Sequence, residues 1–144
     1  MVIPSENIQS AWAKLFRTQT LLQQSIEAKL KVAKLPPMAW YDVLWELEKT
    51  TECGIRAFEL QPKLLLPQYG MSRLIARMED KGLIDRHECP EDGRGIALSI
   101  TEQGRKVRGE MWVIYGPAMQ EAFGKKISDS EAETLTTILS KLKA

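Results

Sequence analysis

Ser72, Arg73 and Arg77 stand at a spacing that lets one helix face touch a charged polymer. A guanidinium donates through a planar fork that matches a guanine edge or two phosphate oxygens, and a serine hydroxyl is a short donor beside it. At about 100° per residue, Tyr69, Ser72, Arg73 and Ala76 share one arc of a helix, with Arg77 at its edge. Met71, Leu74, Ile75 and Met78 fall on the opposite, apolar arc. Ala76 keeps the polar arc slim, and Tyr69 lies near a helix N-terminus, whose dipole favours phosphate. The same pattern fits a face that is merely solvated, and angle alone leaves both readings open.

Other reactive side chains are few. Two cysteines, Cys53 and Cys89, and one histidine, His87, supply at most three soft ligands. A four-ligand zinc site and a disulfide framework are therefore not expected, and no metal or cofactor is assigned. Cys89 has Arg86 and His87 nearby, a setting that lowers a thiol pKa, yet it reads as an ordinary residue of a turn. Cys53 has only Glu52 as a charged neighbour, which works against thiolate formation. There is no Gly-rich phosphate loop, nucleophile elbow or paired His/Cys site. Glu46 and Glu48 read as solvated carboxylates on a helix flank, so no enzyme is expected.

The elements that must position these groups follow from periodicity. Ile8 to Leu30 repeats apolar residues at helical spacing behind a Ser5 N-cap, and Leu35-Pro36-Pro37 ends that helix. A second helix starts at Met38 and stops before Gly54, and Ile55–Phe58 reads as a short strand. Gln61–Leu66 reads as a short helix, and Pro67 opens another that runs to about Lys81, with Gly82 as its left-handed C-cap. On that reading Leu66 is a poor N-cap, and Gly70 inside the helix costs about 1 kcal/mol relative to alanine. Leu83–His87 and Ile96–Ile100 form a β-hairpin around a turn at Pro90–Gly95. Thr101 caps a long helix through Phe123, with Gly116-Pro117 placed to kink it, and Ser128–Glu131 is a capping box for a final helix. The fold class is mainly α (α+β): two short helices and a hairpin make a winged helix-turn-helix, flanked by N- and C-terminal helices.

Four stretches then carry a resemblance: Ser72–Glu79, Lys81-Gly82-Leu83-Ile84, Cys89–Gly95, and Ile100-Thr101-Glu102-Gln103-Gly104. Together with Leu35–Leu44 and the helix order, they resemble the multiple-antibiotic-resistance regulator (MarR) family over essentially the whole chain. The resemblance implies a homodimer that binds double-stranded DNA at a near-palindromic operator and represses transcription until a small, often aromatic, ligand releases it. It implies that Ser72 and Arg73 meet the major groove, that Arg94 is the wing arginine in the minor groove, and that Asp92 braces the wing. The candidate DNA-binding set is Gln68, Tyr69, Ser72, Arg73, Arg77, Asp92 and Arg94. Gly93 departs from the family, standing where a basic residue is frequent.

Charge supports this reading modestly. Twenty Lys and Arg oppose 19 Asp and Glu, a net +1. Between Gln61 and Arg108 nine basic residues oppose seven acidic ones, so binding depends on where charges point rather than on bulk charge. The weak charge keeps a second reading open, a winged helix that binds a protein partner. The length of 144 residues and 44% hydrophobic content describe a globular chain with one domain and dimer arms. The organisation expected is an N-terminal dimerisation helix over 1–34, a DNA-binding lobe over 35–104 and C-terminal dimerisation helices over 105–144. The recognition helix is set at about 67–81 and the wing at about 83–100.

Ile8, Trp12, Trp112, Met119, Phe123, Leu135 and Leu139 are assigned to the dimer interface, because one small winged domain cannot cover so many apolar side chains. Trp12, Phe16, Trp40, Trp45 and Tyr115 are the aromatics near the family's effector cleft, although such aromatics also serve as core. No apolar run reaches the roughly 20 residues of a membrane span, and the Met1–Ser10 start lacks a signal-peptide core, so a cytoplasmic location is expected.

Overall fold

Capping and proline placement fix most helix ends. The computed structural model describes residues 1–50, 53–66, 70–89 and 95–143. Helix α1 spans Glu6–Val32 and starts from Ser5, whose Oγ accepts from the Ile8 amide at 3.2 Å. Pro36 and Pro37 separate it from α2, Met38–Lys49. The expected strand at Ile55–Phe58 is reduced to one position. Ile55 forms an isolated antiparallel bridge with Leu98, its amide donating to the Leu98 carbonyl at 3.0 Å. Ala57–Leu60 is instead a helix, α3, because the Glu59 carboxylate reaches back 3.2 Å to accept from the Arg56 amide.

The helix expected over Gln61–Leu66 is also shorter. Only a 3₁₀ turn, Gln61–Lys63, follows α3. Beyond it, the amides of Leu65 and Leu66 donate to Oδ2 of Asp42 at 2.7 and 3.0 Å rather than to a helical carbonyl. The helix expected to serve as the recognition helix over about 67–81 is α4, Met71–Asp80. Its N-cap is Gly70 at φ +72°, a left-handed conformation that glycine adopts without a Cβ clash. Gly70 therefore starts the helix rather than weakening its interior, and Leu66 is not the cap. Gly82 ends the segment at φ +75°, as expected of a helix stop.

Strands β1 (Ile84–Glu88) and β2 (Ile96–Ile100) form an antiparallel pair with Ile84 opposite Ile100 and Glu88 opposite Ile96, β1 lying one residue later than the sequence suggests. Thr101 joins the hairpin to α5, Glu102–Ala122. Its amide donates to the Leu83 carbonyl at 3.1 Å, its hydroxyl donates to the Gly82 carbonyl at 2.6 Å and accepts from the Gly104 amide at 2.9 Å. Gly104 lies against the Leu83 carbonyl, where a Cβ would also stand 2.7 Å from Ile100 Cγ1. The Thr-x-x-Gly motif is thus a joint between wing and helix. Helix α5 continues through Pro117, and α6 spans Asp129–Ser140 behind the Ser128/Glu131 capping box.

The chain divides into two compact units, Leu30–Ile114 and a terminal unit of Met1–Lys29 with Tyr115–Ala144. The core of the first gathers Val43, Leu44, Leu47, Leu60, Ile75, Met78, Ile84 and Leu98, with Trp40, Met71 and Leu74 packed on its margin. In the terminal unit Ile26, Tyr115 and Ala118 are buried, whereas Ile8, Trp12, Phe16, Ile138, Leu139 and Leu142 are exposed.

Candidate nucleic-acid interface

Helix α4 separates its side chains as its periodicity requires. Ile75 and Met78 are 2% and 0% exposed, and Met71 and Leu74 pack partly buried on the same core. Ser72, Arg73, Ala76 and Arg77 are exposed on the other side. Four apolar anchors therefore fix the rotation of the helix and turn two guanidinium groups and a hydroxyl outward. Among the described residues, neither Arg73 nor Arg77 is held in an ion pair. Both side chains are exposed to solvent.

Other arginines of this unit do structural work instead. Arg86 of β1 donates to Glu79 of α4 at 2.9 Å, which ties the hairpin to that helix. Arg108 of α5 donates to Glu48 at 3.0 Å and lies 5.2 Å from the Trp45 ring centroid. The Arg108 pKa is raised further: burial opposes its charge, but the Glu48 carboxylate and the Tyr41 hydroxyl outweigh burial. The reading of Glu46 and Glu48 as solvated is corrected. Glu46 pairs with Lys49 at 2.8 Å and Glu48 with Arg108, their side chains only 15% and 21% exposed.

Asp42 is a support that sequence reasoning missed. It is 6% exposed and holds the turn after α3 through the Leu65 and Leu66 amides. Burial raises its pKa above the ordinary carboxylate value, and the two amide bonds only partly oppose that rise. A lone carboxylate inside Tyr41-Asp42-Val43-Leu44 was the available signal, since such a group needs a buried donor.

The expectation for the cysteines is corrected too. Cys53 and Cys89 are joined in a disulfide, 36 residues apart in sequence. Arg86 faces Glu79 and so is not the activator of Cys89, while His87 lies beside Cys53, its Nε2 3.4 Å from Sγ. The Ile55–Leu98 bridge and the hairpin register cause this meeting, and neither is visible as local sequence spacing.

Of the remaining predicted residues, Gln68, Tyr69, Asp92 and Arg94 lie outside the described residues. The aromatics assigned to an effector cleft divide between the two units. Trp12 and Phe16 stack in α1 with centroids 4.7 Å apart and are 65% and 56% exposed. Phe16, with Arg17, Thr20 and Leu21, also lines an open groove of about 410 Å³. Tyr115 is buried in the terminal unit, Trp40 packs on the core of the other, and Trp45 has Lys49 and Arg108 5.5 and 5.2 Å from its ring centroid. Of the residues assigned to a dimer interface, Ile8, Trp12, Trp112, Met119, Leu135 and Leu139 are exposed and Phe123 is half-buried; Trp112 stacks on Tyr41 with centroids 6.0 Å apart.

Two helices, a turn, and a hairpin tied to the outward-facing second helix define a winged helix-turn-helix protein. The sequence profile of the MarR family matches residues 33–95. The chain is similar to the HTH-type transcriptional repressor IacR of Pseudomonas putida, 28% identical over 125 residues, covering 87% of this chain and 72% of the relative. It shares its fold with AbsC, a MarR family transcriptional regulator from Streptomyces coelicolor, at TM-score 0.86 and 22% identity, covering 99% of this chain and 95% of that one. A second MarR family regulator from that organism, solved in complex with DNA, aligns at TM-score 0.87 and 22% identity, over 99% of this chain and 89% of its own. Residues 33–95 thus resemble the MarR family, and the chain as a whole shares the fold of solved winged helix proteins of that family.

Proposed function

We propose that this protein is a homodimeric repressor that binds double-stranded DNA at a near-palindromic operator and lets go when a small aromatic ligand binds. The observation that carries the DNA reading is the outer face of α4, where Ser72, Arg73 and Arg77 are exposed and the two arginines have no ion-pair partner among the described residues, over a helix locked by Ile75 and Met78. In this reading Gln68, Tyr69, Ser72, Arg73 and Arg77 meet the major groove and its phosphates. Arg94, braced by Asp92, follows the minor groove from the wing. The exposed apolar faces of α1 and α6 support association of two copies, which sets two half-sites about one helical turn apart. Such a role places the protein with the chromosome, in the cytoplasm.

The relative named a transcriptional repressor supports repression over activation. Release by an aromatic ligand follows from the family resemblance, and quenching of tryptophan fluorescence by phenolic acids, in step with loss of DNA binding, checks it.

The function is tested by fluorescence anisotropy with labelled duplex from the region upstream of the protein's own gene, beside a scrambled duplex, across a salt series. Tighter binding to the native duplex with a negative log–log salt slope is expected, because phosphate contacts release counterions. Equal, feeble and salt-independent binding to both duplexes contradicts the proposal and favours a protein partner.

A further inference from the structure

Three soft side chains outside the α4 face meet at one point. Cys53 Sγ, Cys89 Sγ and a ring nitrogen of His87 lie within 4.8 Å of one another. The two sulfurs are bonded across a Cα–Cα distance of 5.9 Å, inside the range a disulfide requires. The backbone builds this meeting: the Ile55–Leu98 bridge holds the segment of Cys53 beside β2, and the register sets His87 opposite Ala97 on the same hairpin.

His87 has a defined role in this geometry. Its Nε2 lies 2.6 Å from the Cys53 carbonyl oxygen, which can only accept, so Nε2 carries the proton. Its Nδ1 lies 3.5 Å from Ser99 Oγ and accepts there. The same Nε2–H faces Cys53 Sγ at 3.4 Å, where it stabilises a thiolate rather than removing a thiol proton. Cys53 is exposed, and Cys89 is 7% exposed, so solution reagents reach the first sulfur.

We propose that Cys53 and Cys89 are a reversible thiol–disulfide exchange site for small disulfides and dithiols, with Cys53 attacking, Cys89 resolving and His87 positioning the Cys53 thiolate. In oxidation the Cys53 thiolate attacks one sulfur of a small disulfide, and the other sulfur leaves as a thiolate. Cys89, as its thiolate, then attacks Cys53 Sγ in the mixed disulfide and expels the second small thiolate. The chain loses two electrons and two protons, and the small disulfide becomes two thiols. A solution dithiol reverses both steps, and the Nε2–H of His87 then stabilises Cys53 as the leaving thiolate.

Cys89 directly precedes residues 90–94, which include Asp92 and Arg94, so the bond ties the root of the wing to the segment before Ile55. Its consequence for DNA rests on the function proposed above: in a compartment shared with the chromosome, thiols are kept reduced and a disulfide is made and unmade.

The test equilibrates the full-length protein in glutathione buffers of stepped ratio, quenches with an alkylating agent and reads the mass. A single transition from two alkylated thiols to none, with a peptide linking Cys53 and Cys89 within one chain, is expected. His87→Ala should slow exchange with oxidised glutathione roughly tenfold, and His87→Gln, which restores an N–H donor, should recover most of the rate. Two free thiols in fully oxidised glutathione, or only a stable glutathione adduct on Cys53, overturn the proposal. So does one zinc ion per reduced chain, added as zinc alone, that survives dialysis and shields both thiols. The mass readout is independent of DNA. Failure to form the bond overturns this site, whereas absence of DNA binding in both redox states overturns the proposed function and leaves the site standing.

Discussion

The two units handle apolar surface in opposite ways. Between Leu30 and Ile114, side chains of three helices and the hairpin close over one another, and Val43, Leu44, Leu60 and Met78 are 0% exposed. In the terminal unit Trp12 is 65% exposed, Ile138 50%, Leu139 40% and Leu142 65%. Water contact at so many large apolar groups is unfavourable by roughly 25 cal/mol for each Å² left uncovered. The contrast teaches that the lobe carries a finished core, while the terminal helices leave large apolar groups uncovered, the surface on which the proposed dimer rests.

Truncating equal side chains on the two sides tests the contrast most strongly. Leu44→Ala should lower unfolding stability by about 2–5 kcal/mol at any protein concentration. Leu139→Ala should cost under about 0.5 kcal/mol in dilute protein and more as concentration rises, since association stabilises the folded chain. Urea unfolding at two concentrations reads both, and equal, concentration-independent losses would erase the distinction. Reversing the surface instead, Leu139→Glu should halve the mass seen in sedimentation. An unchanged mass would move that helix out of the interface.

Within the lobe, the joint between wing and α5 has no spare room. Gly104→Ala adds a methyl that meets the Leu83 carbonyl and Ile100, and should cost about 1–3 kcal/mol in thermal unfolding. Full stability would mean the α5 entry slides freely. The smallest effect is at Asp42. Asp42→Asn keeps an acceptor for the Leu65 and Leu66 amides and should stay within about 1 kcal/mol of the wild type at neutral pH. The Asp42 pKa is raised in the fold, so its proton is held more tightly there than in the unfolded chain. The resulting stability is fully present below the ordinary value of 3.8 and is lost as pH rises through the raised value. The wild type should therefore gain on the variant as pH falls through that window, and a constant difference would contradict the assignment.

The α4 face and the hairpin were legible in the sequence because each depends on a local period, 3.6 residues for Met71, Leu74, Ile75 and Met78 and two for Ile96, Leu98 and Ile100. Caps that use neighbouring atoms were legible too, as at Ser128 and Thr101. The misread boundaries share a cause. Pro67 looked like a first helical residue, but Gly70 takes the turn, and the amides after α3 were claimed by Asp42, more than 20 residues earlier. Cys53 and His87 were unreadable for the same reason, since 34 residues separate them and the Ile55–Leu98 bridge and the hairpin register bring them together.

The central claim is that the exposed arginines of α4 read DNA. It is tested most directly by titrating wild type and Arg73→Ala against the native and scrambled duplexes at one fixed salt concentration. The account predicts that Arg73→Ala loses about 1–3 kcal/mol on the native duplex and much less on the scrambled one, with its thermal midpoint unchanged. Wild-type affinity in the variant on both duplexes would contradict it.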